Sequence, residues 1–226
     1  MTRRVLCSLG TGPHSELLDI TRPVFERYAL SHGYDLDLRT SAPVTGRPPA
    51  WTKLLLVREL LDRYDTVVGV DADAIIVDLV SDVAVRPRRY PVDMVTHVVD
   101  GIPLPNAGIA VWRRSRAAVT LLERMWAQRS LIDHRWWENA ALLAVLGGDP
   151  DVGLVSSRSR RRSARTIGRL DPRWNSVPVV AEVPDPGIVH LAGWRNEDRA
   201  SALDEIAATV LAADTPPEVR RPRWSA

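Results

Sequence analysis

The stretch Thr66–Val77, TVVGVDADAIIV, sets two carboxylates in the middle of an apolar run. An unpaired charge buried there would cost several kcal/mol, so the pattern is not an accident of composition. Either a buried strand ends at Asp71, or the pair holds a metal, or one aspartate takes part in phosphate transfer. Each reading needs a buried strand delivering acid to an edge, which points to an α/β chain.

The flanking segments agree. RVLCSL (4–9) reads as a buried strand stopped by GTGP. Apolar residues then recur at helical spacing to Ser31, with Ser15 as candidate N-cap and Gly33 as the stop. YDLDLRT alternates as a second strand, and SAPVTGRPPA is a Pro/Gly loop. WTKLLLVRELLDRY (51–64) predicts an amphipathic helix burying Leu54, Leu55, Val57, Leu60 and Leu61. TVVGV is a strand and AIIV a second short one. Further strands are expected at 92–99, 108–112, in VGLV and in GIVHL. Helices are expected from Ser115 to Arg129, over 135–147, and from Glu197 to Ala213. The early β-α-β-α-β order predicts a mostly parallel sheet at the start of the chain. One domain is expected over residues 1–213. SSRSRRRSAR (156–165) holds no apolar residue but Ala164 and reads as a mobile loop, serving as a lid over phosphates or contacting an anionic molecule. The tail 214–226 reads as flexible.

Bulk properties bound the function. The 226 residues are 45% hydrophobic and carry a formal charge of +2, which does not argue for a nucleic-acid binder. Lys53 is the only lysine and Cys7 the only cysteine, so no internal disulfide forms. No run reaches about 18 apolar residues, and no secretory cleavage pattern follows the start. A soluble cytoplasmic protein is the expectation.

D-x-D alone is weak, since it occurs at Asp35/Asp37, Asp71/Asp73 and Asp149/Asp151. Only the middle pair sits at the end of a buried parallel strand, where open α/β sheets bind ligands. Two carboxylates so placed reach one hard divalent cation, which would neutralise a diphosphate. An aspartate-nucleophile phosphohydrolase would use such a pair, but with the motif near the chain start and a downstream lysine. A nucleotide-sugar transferase would place βαβ units ahead of it, as here. A non-catalytic sugar-nucleotide binder is the third reading.

Six stretches then come in a telling order: YALSHGYDL (28–36), 51–78, NAGIAVWRRS (106–115), WWENAAL (136–142), LDPRWNSVP (170–178) and HLAGWR (190–195). Together they resemble the family of fungal α-galactosyl- and mannosyltransferases and plant xyloglucan xylosyltransferases. The resemblance implies a GT-A fold, a Rossmann-like nucleotide-binding half with a mixed, mostly parallel sheet flanked by helices. It implies a UDP-hexose or UDP-pentose donor, Mn²⁺ or Mg²⁺, and retention at the anomeric carbon. Without the family's anchor and stem, a compact soluble enzyme is expected, acting on a small-molecule, glycan or natural-product acceptor. Asp71 and Asp73, with Ala72 between, match the acidic pair, and His190 the late histidine completing the metal site. Imidazole plus carboxylates suits Mn²⁺. Gly193 and Arg195 match the diphosphate contact, with arginine for the usual lysine. Asn106 matches a sugar-pocket residue, Glu138 the acidic residue beside the reacting sugar, and Asn139 stands for the usual glutamine. Lys53 reaches the donor from its helix, Leu9, Gly10, Thr11 and Gly12 meet the nucleoside, and Trp136 and Trp137 divide between sugar contact and core.

Overall fold

The first strand, β1 (Arg4–Leu9), is an inner strand of a six-stranded sheet, and both of its faces are apolar. The computed structural model describes residues 2–43, 46–85, 90–178 and 180–213; the tail read as flexible lies outside them. Helix α1 (His14–His32) leaves β1 and returns the chain to β2 (Asp35–Arg39). Helix α2 (Pro49–Leu60) returns it to β3 (Thr66–Val70). Both strands pair parallel with β1, as the β-α-β-α-β order predicts, and the two helices cover opposite faces.

After β3 come the short β4 (Ala74–Ile76), then β5 (Val92–Val99) and the long β6 (Ile102–Arg113). Helices α3 (Arg116–Trp126), α4 (Trp137–Val145) and α5 (Ser157–Thr166) follow. Then come β7 (Ile167–Arg169), a 3-10 turn at Pro172–Asn175, β8 (Ile188–His190) and α6 (Asn196–Ala213). The sheet order is β2-β1-β3-β6-β5-β7, with β4 and β8 forming a separate antiparallel pair. Pairing is parallel among the first three strands and between β5 and β7, and antiparallel where β6 meets β3 and β5. The sheet is therefore mixed.

Alternation along the strands divides the core in two. Val5, Cys7, Val67, Met94 and Trp112 face α2, α3 and α4. Leu6, Val68, Val70, Ile109 and Val111 face α1, α6 and the β4/β8 pair. This is a three-layer arrangement with helices over both sheet faces.

Several local expectations change. The first helix is entered from Pro13, one residue before His14. Ser15 sits inside the first turn, its hydroxyl donating to the Gly12 carbonyl at 2.7 Å. Gly33 does stop it, in the left-handed region at φ 66°. Helix α2 begins earlier, at Pro49, whose missing N–H costs nothing in a first turn, and it buries Leu56 rather than Leu55. VGLV forms no strand; a single bridge joins Asp149 to Gly153, and the Leu154 N–H bonds the Pro103 carbonyl. The arginine-rich 156–165 is not a mobile loop but helix α5. Ser156 caps it by accepting from the Ser159 N–H at 3.0 Å, and arginine and alanine are strong helix formers needing no apolar face to propagate.

Candidate functional site

TVVGVDADAIIV forms two strands, as its sequence predicts. β3 ends at Val70, β4 starts at Ala74, and Asp71-Ala72-Asp73 spans the gap between the two sheets. The Asp71 N–H still bonds the Gly108 carbonyl at 2.9 Å, and Ala72 is buried. The pairing of β4 with β8 sets Ala74 opposite His190 and so brings that imidazole to the aspartates. Asp71, Asp73 and His190 each offer a ligand atom, all within 4.8 Å of one another.

A proton count shows what this trio can hold. The backbone N–H of Gly108 can only donate, and it donates to Asn106 Oδ1 at 2.8 Å. Asn175 Nδ2 donates to the same oxygen at 3.0 Å, so Asn175 turns Oδ1 towards His190 Nδ1, at 2.9 Å. An acceptor there places the imidazole proton on Nδ1. The Nε2 lone pair then faces Asp73 Oδ1 at 3.4 Å and Asp71 Oδ2 at 3.9 Å. A lone pair against two carboxylates is repulsive unless positive charge lies between them. Burial works against a charged His190, yet the bond to Asp73 and the nearby carboxylates outweigh it and raise its pKa. Burial likewise opposes the Asp73 charge, while His190 and Arg199 hold its carboxyl well below the ordinary range. One imidazole and two carboxylates form a donor set that fits a divalent cation.

Lys53 is largely shielded, its side chain 13% exposed. It binds Asp71 Oδ1 at 2.6 Å and Glu138 Oε1 at 2.9 Å, and donates to the Ala107 carbonyl at 3.3 Å. Burial disfavours its charge, but the two carboxylates prevail and raise its pKa above the usual lysine value. Glu138, in the first turn of α4, is pushed up by burial while Lys53 holds it down. Asn139 Oδ1 accepts from the Ala107 N–H at 2.9 Å. Trp136 packs partly against the core, whereas Trp137 is 45% exposed and holds a left-handed backbone, φ 40°.

Asn106, Ala107 and Gly108 reach the site through a break in the sheet. Opposite the step from Met94 to Thr96, the β6 partner jumps from Ala110 to Pro105. The extra residues bulge towards Asp71, as bulges beside sites do. Asn106 thus lies inside β6, and its oxygen is spent on the Gly108 and Asn175 bonds. Gly108 has no substitute here, for a Cβ would stand 2.4 Å from His190 Cε1.

Other expected residues lie further out. Leu9, Gly10, Thr11 and Gly12 link β1 to α1 beside the Asp71 end of the sheet, with Gly10 pressed against the His14 carbonyl. Gly193, at φ 82°, and Arg195 follow β8; Arg195 is largely exposed and pairs with Glu197 rather than with the trio. The cation beside Asp73 is instead Arg199, whose Nη2 stands 3.5 Å from Oδ2 and whose Nη1 reaches His14 Nε2 at 3.2 Å. Sequence reasoning missed Arg199 and Asn175. Asn175 lies within LDPRWNSVP but carried no role; Arg199 sits in a polar first turn of α6 with no local signal.

No family model and no curated protein matches the sequence. Solved structures do. A glycosyltransferase involved in glycosylating the major capsid of PBCV-1 superposes with a TM-score of 0.66 at 13% identity, over 89% of this chain and 99% of that one. GlyE of Streptococcus pneumoniae TIGR4 gives 0.58 at 11%, over 99% and 67%. The galactosyltransferase LgtC, solved with donor and acceptor sugar analogues, gives 0.53 at 12%, over 94% and 98%. At these identities the likeness is one of fold, and it decides the architecture: a mixed six-stranded sheet between helical layers, the GT-A fold of glycosyltransferases.

Proposed function

We propose that the protein is a metal-dependent glycosyltransferase taking a sugar from a nucleotide-sugar donor, a UDP-hexose or UDP-pentose, to a small-molecule, glycan or natural-product acceptor. One observation carries the reading: Asp71, Asp73 and His190 converge at the edge where β1 and β3 end, in the GT-A fold. A divalent cation there, Mn²⁺ by its ligand chemistry, supplies charge neutralisation for a leaving diphosphate.

The chain's own groups do the rest. Leu9 to Gly12 border the nucleoside position through their backbone. Lys53 holds Asp71 and Glu138 together, so the metal-side carboxylate and the sugar-side carboxylate move as one unit. Glu138 stands as the buried carboxylate that stabilises positive charge at the anomeric carbon. Asn139 spends its oxygen on Ala107, and its Nδ2 has no partner among the described residues, leaving it free to donate to a sugar hydroxyl. Arg195 and Gly193 reach the diphosphate by movement of the turn after β8. Retention of configuration and kinship with the fungal and plant family complete the reading, and so does a cytoplasmic location.

The test is UDP release from a panel of UDP-hexoses and UDP-pentoses. Release should require Mn²⁺ and vanish in EDTA and in Asp73→Asn. The matching donor should raise the melting point as ln(1 + [L]/Kd), with metal present. Turnover that persists in EDTA, or hydrolysis of aryl phosphates without UDP release, would overturn the proposal.

A further inference from the structure

Helix α5 carries charge that the site does not use. Arg158, Arg161 and Arg165 lie three and four residues apart, on one stripe opposite the buried Ser159 and Ser163. Arg160 and Arg162 flank the stripe and anchor the helix, donating to the Leu154 carbonyl at 2.9 Å and the Val145 carbonyl at 3.3 Å. Between α5 and α3 a cleft of about 470 Å³ opens, lined by Arg116, Thr120, Arg124 and Arg162 over an apolar floor of Leu121 and Leu146. Among the described residues, none of Arg116, Arg124, Arg158, Arg161, Arg162 and Arg165 makes an ion pair with a carboxylate. No acidic side chain is among the residues lining the cleft. Many arginines elsewhere are paired, Arg4 with Asp82, Arg39 with Asp37 and Glu59, Arg58 with Asp62, although Arg47 and Arg129 also make no ion pair among the described residues. A like-charged stripe at helical spacing works against its own helix, so this face is built to meet external negative charge.

The cleft does not face the donor. Ile167, directly after α5, pairs with Val92, and Val92 with Trp112; Trp112 sits opposite Val67, near the start of β3. The metal trio lies past the other end of β3, about 10–15 Å along the strand. Arg160 and Arg162 also tie α5 to neighbouring carbonyls, so it is no lid over the donor phosphates.

We propose that the α5 stripe and the α3/α5 cleft form a docking surface for an anionic phospholipid bilayer. Charge complementarity argues for a phosphate-rich partner, and the apolar floor between the arginines suits a lipid headgroup with the start of its chains. No aromatic ring lines the cleft to stack a base, as a single-stranded nucleic-acid groove requires. No described helix is long and apolar enough to cross a membrane, so contact of this kind is peripheral. Docked by this face, the opposite sheet edge stays open to nucleotide from solution.

The test is co-sedimentation of the full chain with vesicles of phosphatidylcholine alone or with about 30% phosphatidylglycerol. Wild type should bind the anionic vesicles, ignore the neutral ones, and release as NaCl rises from about 50 to about 500 mM. The variant Arg158→Gln/Arg161→Gln/Arg165→Gln should weaken binding about 100-fold, roughly fivefold per arginine, while UDP release stays unchanged. Equal binding to neutral vesicles, no binding at low salt, or an unweakened variant would overturn the proposal. So would stronger binding to a duplex or single-stranded oligonucleotide than to anionic vesicles at matched phosphate and salt. The salt titration uses only the native chain, so a misfolded variant does not blunt the test. The vesicle-binding outcome is independent of the transferase reading.

Discussion

At the residue scale, one backbone N–H decides the tautomer of a distant histidine. Gly108 orients Asn106, Asn106 orients Asn175, and Asn175 sets the proton on His190. Asn175→Leu should therefore lower Mn²⁺ affinity about 10–100-fold, the usual cost of losing a group that orients a metal ligand. Calorimetric titration of the nucleotide-free protein reads it without recourse to turnover. Gly108→Ala should do at least as much, since its methyl displaces the imidazole ring. Cys7 makes a contrasting case. Burial pushes its thiol up to about 12, so it should resist a disulfide reagent in the native state and react only as the chain unfolds. Labelling kinetics against urea would show it. Asp71 and Asp73 were legible because carboxylates in an apolar run demand a reason. Asn175 and Arg199 were not, because an amide and an arginine in polar surroundings demand none.

At the level of elements, capping outweighed composition. Ser156 and Ser115 each close a helix by accepting an N–H, from Ser159 and Ala118. Ser156→Ala should cost about 1 kcal/mol and loosen α5 selectively, seen as faster amide exchange at its start. The arginine run was read as a loop because apolar periodicity was the signal sought, and α5 has none to show. Its buried residues are serines. VGLV failed for the converse reason: its apolar residues suited a strand, but Asp149 and Gly153 close on each other in a turn and leave a single bond, from the Leu154 N–H to Pro103 of β6. The β6 bulge was equally hidden, for GIAVW reads as a plain strand and only its partner β5 reveals the extra residues.

Across the whole molecule, charged groups also pin the segment after β4 to the first strand. Asp82 binds Arg4, Tyr34 at 2.6 Å and the Ala84 N–H at 2.9 Å. Burial opposes its charge, but these donors prevail and hold its carboxyl below the usual value. A group whose folded pKa is depressed stabilises above its unfolded pKa, about 3.9 for aspartate, and the gain fades as pH falls below that. Urea unfolding should show wild type losing stability below about pH 4 more steeply than Asp82→Asn, with the two curves converging in strong acid.

What the sequence alone determined is local. Alternating and 3.6-residue periods, a glycine stop after His32 and the β-α-β-α-β order lead to the α/β class and to the acidic strand end. These signals are carried by neighbours in the chain, so they survive without coordinates. Tertiary structure alone decided which far residues meet. Lys53 reaches both Asp71 and Glu138 because α2 packs beside α4, and Arg199 rather than Arg195 lies next to the acid pair; His190, which the resemblance already set with that pair, is brought there by the pairing of β8 with β4. The physical reason is that such contacts depend on strand pairing and helix packing, which place a side chain by the sum of many distant backbone bonds and leave no mark at the residue itself.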